Sequence, residues 1–181
     1  ETLATYMGTK ITGGSMVFIR SSGAISDGTA SVVFDDDDFD ATKFDHYVFM
    51  FQHVKPATDS AIMLGQTSTN GGTNFATTNG DYHSPTASDQ IAMLVTDGVG
   101  NASSDAGVSG RVELYAPHVA LPTYSYSSLI YMQDNGGMKP HVAAQAANIR
   151  LAAEDVDGFR FIFNSGNIAS GEIVMYGIAN A

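Results

Sequence analysis

Phe159-Arg160-Phe161-Ile162-Phe163-Asn164-Ser165-Gly166-Asn167-Ile168-Ala169-Ser170-Gly171-Glu172-Ile173-Val174-Met175-Tyr176-Gly177-Ile178 is the stretch whose reading decides the fold. It reads as two short strands, Phe159–Phe163 and Glu172–Gly177, around a Ser/Gly/Asn connection. Successive strand residues point to opposite faces, so Phe159, Phe161 and Phe163 form one aromatic row while Arg160 and Ile162 face the other way. A second row stands in His46-Tyr47-Val48-Phe49-Met50-Phe51-Gln52-His53-Val54, where Tyr47, Phe49 and Phe51 share a face. The two rows are expected to meet between two sheets. Val48 and Met50, on the second face of that strand, suggest that this face is covered too, as in a central strand.

The same period of two runs along the chain. Strands are predicted at 16–20, 29–34, 46–54, 61–67, 91–95, 111–115 and 124–132, with a short pairing near Tyr82. The segment 61–67 is read as the partner of 46–54. Residues 141–153 are Ala-rich and helical by propensity, but Pro140 precedes them and their surroundings are β, so a strand is expected. Asn70-Gly71-Gly72 and Asn135-Gly136-Gly137 supply turns, because Asn-Gly readily adopts positive φ. Eight to ten strands with frequent turn signals point to an all-β, antiparallel β-sandwich of jelly-roll type. Residues 1–15 read as an N-terminal arm and 16–181 as a single domain. A chain of 181 residues buries enough surface to need no metal or disulfide.

Composition narrows the function. Nineteen acidic against 8 basic residues leave a net charge of −11. Phosphate binding needs clustered Lys and Arg, whereas the eight here are dispersed, so no nucleic-acid partner is expected; anionic membranes are disfavoured as well. Cysteine is absent, which excludes disulfides and thiol chemistry and fits manufacture in a reducing cytoplasm. No apolar run approaches the ~18 residues that span a membrane, and Glu1–Tyr6 has no leader pattern.

Motifs for chemistry are few. Asp36, Asp38 and Asp40 have the D-x-D-x-D spacing of a calcium loop and are candidate metal ligands. The remainder of the helical calcium-hand pattern fails, with Ala41 at the Gly position and Tyr47 at the bidentate Glu position. The bland reading of Asp35-Asp36-Asp37-Asp38-Phe39-Asp40 is a solvated loop, or one that meets a basic surface on a partner. The histidines, His46, His53, His83, His118 and His141, form no metal-ligand spacing. There is no G-x-S-x-G elbow and no phosphate-binding loop. No enzymatic activity and no cofactor are expected. Tyr115, Tyr124, Tyr126 and Tyr131 are candidates for sugar stacking, with cross-strand or interface packing as the structural alternative.

Several segments together resemble small β-sandwich virion proteins of tailed bacteriophages: capsid decoration (cement) proteins, head fibres and tail-fibre modules. They are Tyr47-Val48-Phe49-Met50-Phe51 through Val54-Lys55-Pro56-Ala57-Thr58-Asp59, Ser68-Thr69-Asn70-Gly71-Gly72 with Phe75, Val112-Glu113-Leu114-Tyr115-Ala116-Pro117, and Phe159 through Tyr176, which looks like the family's closing hairpin. The likeness covers Phe44 to the end. It departs at Ala116-Pro117-His118, where a more polar corner is usual. It implies a virion structural protein assembled in the bacterial cytoplasm, a homotrimer bound to the major capsid protein or other virion proteins, and it carries no catalytic residue. The absence of a stalk or repeat favours capsid decoration over a long fibre. Tyr6, Met7, Asp35, Asp37, Tyr124 and Tyr126 are the candidate interface residues, with the arm and the acidic loop as contact elements. The other reading is a tail receptor-binding module whose loops 68–90 and 97–110 recognise a host glycan.

Overall fold

The computed structural model describes residues 14–85, 88–93, 98–133 and 141–180. Among them the alternating pattern becomes strands and no helix: β1 (Met16–Ser21), β2 (Val32–Phe34), β3 (Phe44–Pro56), β4 (Met63–Ser68), β5 (Tyr82–His83), β6 (Ile91–Ala92), β7 (Val108–Tyr115), β8 (Thr123–Met132), β9 (His141–Arg150), β10 (Gly158–Phe163) and β11 (Ile168–Ala179). They form a wide seven-stranded sheet, β1-β11-β3-β7-β8-β9-β5, and a narrow four-stranded sheet, β2-β10-β4-β6. Every pairing is antiparallel. Without β5, β8 and β9, the order is β1-β11-β3-β7 over β2-β10-β4-β6, the double sheet of a jelly roll. The remaining three strands extend the wide sheet beyond β7.

The two Phe rows meet between the sheets. Phe49 stacks on Phe159 at 5.4 Å, and Phe161 is edge-on to Phe49 at 5.0 Å and to Phe51 at 4.9 Å. Phe34 of β2 closes the group against Phe49 and Phe161. Burying each ring contributes about 1.5–3 kcal/mol, with about 0.5–1.5 more for well-placed aromatic pairs. Gly65 faces this cluster; a Cβ there would lie 2.5 Å from Met93 and 2.6 Å from Phe159, so only glycine lets β4 pass. In the turn after β4, Gly71 and Gly72 have φ of 66° and 72°, as Asn-Gly-Gly predicts.

Two expected pairings are corrected. The strand at 61–67 does not pair with β3, and β10 forms no hairpin with β11. Each connection crosses from one sheet to the other, so these neighbours in sequence face one another across the core instead of sharing a ladder. β3 pairs with β11 and β7, and β10 with β2 and β4. The Ala-rich segment is a strand, because β8 offers it a ten-residue ladder and the small Ala144 and Ala146 fit beneath the buried layer. Residues 94 and 95 of the expected 91–95 strand, and the 135–137 turn, lie outside the described residues.

The arm is likewise outside them up to residue 13. Gly14 and Ser15, just ahead of β1, are bonded to the end of β11: Gly14 N–H donates to Ala179 O at 2.8 Å, and Ala179 N–H to Ser15 O at 2.9 Å.

Candidate functional site

With Tyr47, Phe49 and Phe51 turned into the core, His46, Val48 and Met50 must point out of the wide sheet. Cross-strand register carries that choice across six strands. One outward row is Met16, Ile178, His46, Tyr115, Tyr124 and Ile149; the next is Phe18, Tyr176, Val48, Glu113, Tyr126 and Ala147. Of the nine large hydrophobic residues exposed among those described, six lie on this face: Met16, Phe18, Met50, Tyr115, Tyr124 and Ile130. Phe18 is 59% exposed and Ile130 57%. Among the described residues no further layer covers the second face of β3. Val48 is buried because neighbouring side chains shade it, at the floor of a depression of about 480 Å³ lined by Met16, His46, Tyr176 and Ile178.

The few charges on this face are spent on one another. Glu113 accepts from Arg111 Nε at 2.8 Å and from Tyr115 O–H at 2.5 Å. That bond, with some burial, pushes the Tyr115 phenol up to about 12. His46 stacks on Tyr115 at 4.4 Å. Its Nε2 lies 3.3 Å from Glu113 but is not aligned for a hydrogen bond. Burial outweighs the pull of Glu113 and lowers its pKa below 6.5, so the ring is neutral at pH 7. Tyr124 and Tyr126, both interface candidates, lie on this face; Tyr131 points inward and is buried, so it is no sugar platform.

The structure does not bring the calcium candidates together. Asp38 is buried and accepts from Arg20 at 3.0 Å and from Asp35 N–H at 3.1 Å. Burial, outweighing Arg20, raises its pKa. Asp40 binds Lys43 at 2.6 Å and Thr42 Oγ1 at 2.6 Å, which lowers its pKa to about 2. Asp36 and Asp37 are exposed, whereas Asp35 is half-buried, 3.9 Å from Arg20. Among the described residues no group of three or more His, Asp or Glu is placed to hold a metal. Tyr6 and Met7 lie outside the described residues.

The two loops read as a joint glycan surface lie at opposite ends of the sandwich. Loop 68–81 sits beside the start of β10, where Gly71 N–H donates to Asp157 at 2.9 Å. Residues 98–107 sit at the far end of β3, with Asn101 N–H donating to Asp59 at 2.9 Å and Lys55 to Ala102 O at 3.3 Å. A polar cleft of about 330 Å³ opens near the first loop, lined by Asn70, Phe75, Asp81, Arg150 and Glu154. Its polar groups are largely committed. Arg150 pairs with Asp81 and Glu154, each at 3.1 Å, and Arg160 covers the Phe75 ring at 4.2 Å.

One network went unforeseen. The buried Tyr47 hydroxyl accepts from Asp40 N–H at 2.8 Å and contacts His118 Nε2 at 2.7 Å, while His118 Nδ1 meets Asp155 at 3.1 Å. Burial pushes the phenol far above its ordinary range. The chain ties three loops to β3 here, at the Ala116-Pro117-His118 corner. The isolated Tyr47 on an apolar strand face was the only signal in the sequence. Family models, curated proteins and solved structures contain no match to this chain.

Proposed function

We propose that the chain is a non-enzymatic structural protein of a bacteriophage particle, a capsid decoration protein that works by covering surface. The observation that carries this is the outward face of the wide sheet. Contiguous exposed apolar surface of this kind marks interaction sites, and here it is broad and shallow, with its few polar groups, Arg111, Glu113 and Tyr115, bonded to one another. The phage-family likeness supplies the virion context. The exposed Asp36 and Asp37, with the net charge of −11, fit docking on a basic patch of a capsid subunit. Several weak contacts held in one assembly clamp neighbouring subunits more tightly than any one alone.

Immunogold electron microscopy of intact particles, with antibody against this chain, tests the reading. Label over the head, and a capsid that melts at higher temperature with the protein bound, is the expected result. Label confined to the tail tip overturns it and directs attention to the cleft beside Phe75, to be tested by sugar titration. Absence of label from the particle removes the virion reading altogether.

A further inference from the structure

We infer that the outer face of the wide sheet is the contact between two copies of this chain. The inference goes beyond the proposed function: it gives this face to a second copy and leaves the exposed Asp36 and Asp37 to meet a capsid subunit. It rests on the reading of that face as an interface, not on where in a particle the protein sits.

Charge selects the occupant. The chain carries −11, so two copies repel wherever acidic surfaces approach. On this face Arg111 and Glu113 cancel at 2.8 Å and His46 is neutral, leaving Glu172 at the rim. The one lysine among the described outward positions of β1, β11, β3, β7, β8 and β9 is Lys55, at the far end of β3, and it is tied to Ala102 O at 3.3 Å. A basic partner is drawn instead to the acidic loop. A second copy brings an identical surface whose Arg111 and Glu113 are already paired within each copy, so no unpaired charge is buried at its centre.

Size agrees. Six strands about 4.8 Å apart make a stripe roughly 24 Å wide, and the outward residues extend it roughly 20 Å along the strands. That footprint, roughly 480 Å² per partner, lies at the small end for specific contacts and fits a weak, concentration-dependent dimer. Composition agrees as well. Tyrosine and methionine are enriched at interfaces, and flexible Met16 and Met50 can adapt to an opposing surface. The same patch meeting itself closes a twofold dimer, where the phage resemblance implies a trimer.

Sedimentation of the purified full chain, without any particle, tests this. The wild type is expected to form a concentration-dependent dimer. Ile130→Lys and, on the other half of the stripe, Phe18→Ser should each weaken it about tenfold or more, since each places a charge or a polar group in a desolvated contact. Leu121, 62% exposed but off the stripe, provides the control: Leu121→Lys should leave the dimer intact. Circular dichroism melts confirm that each variant is folded. A monomeric wild type at ~100 µM, well above the range of specific association, overturns the inference. So does a trimer, a dimer indifferent to Ile130→Lys and Phe18→Ser, or equal weakening by Leu121→Lys. Because the particle takes no part, failure here leaves the decoration reading standing, and head labelling cannot rescue the dimer.

Discussion

The two outer faces of the sandwich are built from the same alternating pattern and end in opposite states. On the narrow sheet, outward Arg160 donates to Gln66 Oε1 at 2.7 Å and lies 4.2 Å from the Phe75 ring, so the loop after β4 folds over the sheet. Arg20 reaches from β1 to bond Val33 O and stands 4.9 Å from Phe34, sealing the edge. On the wide sheet nothing among the described residues covers Phe18, Tyr124 or Ile130. Alternation tells which residues leave the core but not whether they meet water. Loops and long cations decide that.

The sharpest test sets the interior against the bare face. Phe161→Ala should cost about 3–5 kcal/mol, as expected for removing a fully packed ring, measured by urea denaturation. Phe18→Ala, measured below the concentration at which copies associate, should cost no more than about 0.5 kcal/mol. Equal losses would mean that the bare face is packed after all. On the covered face, Arg160→Ala should cost about 1–2 kcal/mol, because a charge-assisted hydrogen bond and a cation–π contact go together. A neutral outcome would show that the lid contributes nothing. The smallest effect is in pH. The folded pKa of His46 lies below its ordinary 6.5, so the native state binds this proton less readily than the unfolded chain. Stability at this site is full above 6.5 and is lost as pH falls through the lowered folded value. Thermal melts of His46→Gln should show a shallower decline than the wild type across that window, with the difference gone above pH 7.

Much of this contrast was legible and part was not. The Phe rows at 49/51 and 159/161/163 placed the core, because period two fixes facing once one residue is known to be inside. Gly71 and Gly72 marked their turn through backbone sterics alone. Partnership between strands escaped, since β3–β4 and β10–β11 are adjacent in sequence yet lie in different sheets. Without partners there is no register, and without register Phe18, Tyr176, Val48 and Tyr126 do not line up as one surface. Tyr124 and Tyr126, two residues apart, share one face of their strand by period two alone. What that face joined, and the meeting of Tyr47 with His118, depends on contacts that no local pattern encodes.

The place of β11 has a consequence for synthesis. This strand separates β1 from β3, yet it leaves the ribosome after both. Until it arrives, β1 lacks its sheet partner and β3 has an open edge, each a template for a neighbouring nascent chain. The wide sheet cannot close by growth from its N-terminal side; it waits for long-range pairing, which is slow to form. Maturation is therefore governed less by how fast early strands collapse than by how long the unfinished sheet is kept from its neighbours on a crowded polysome.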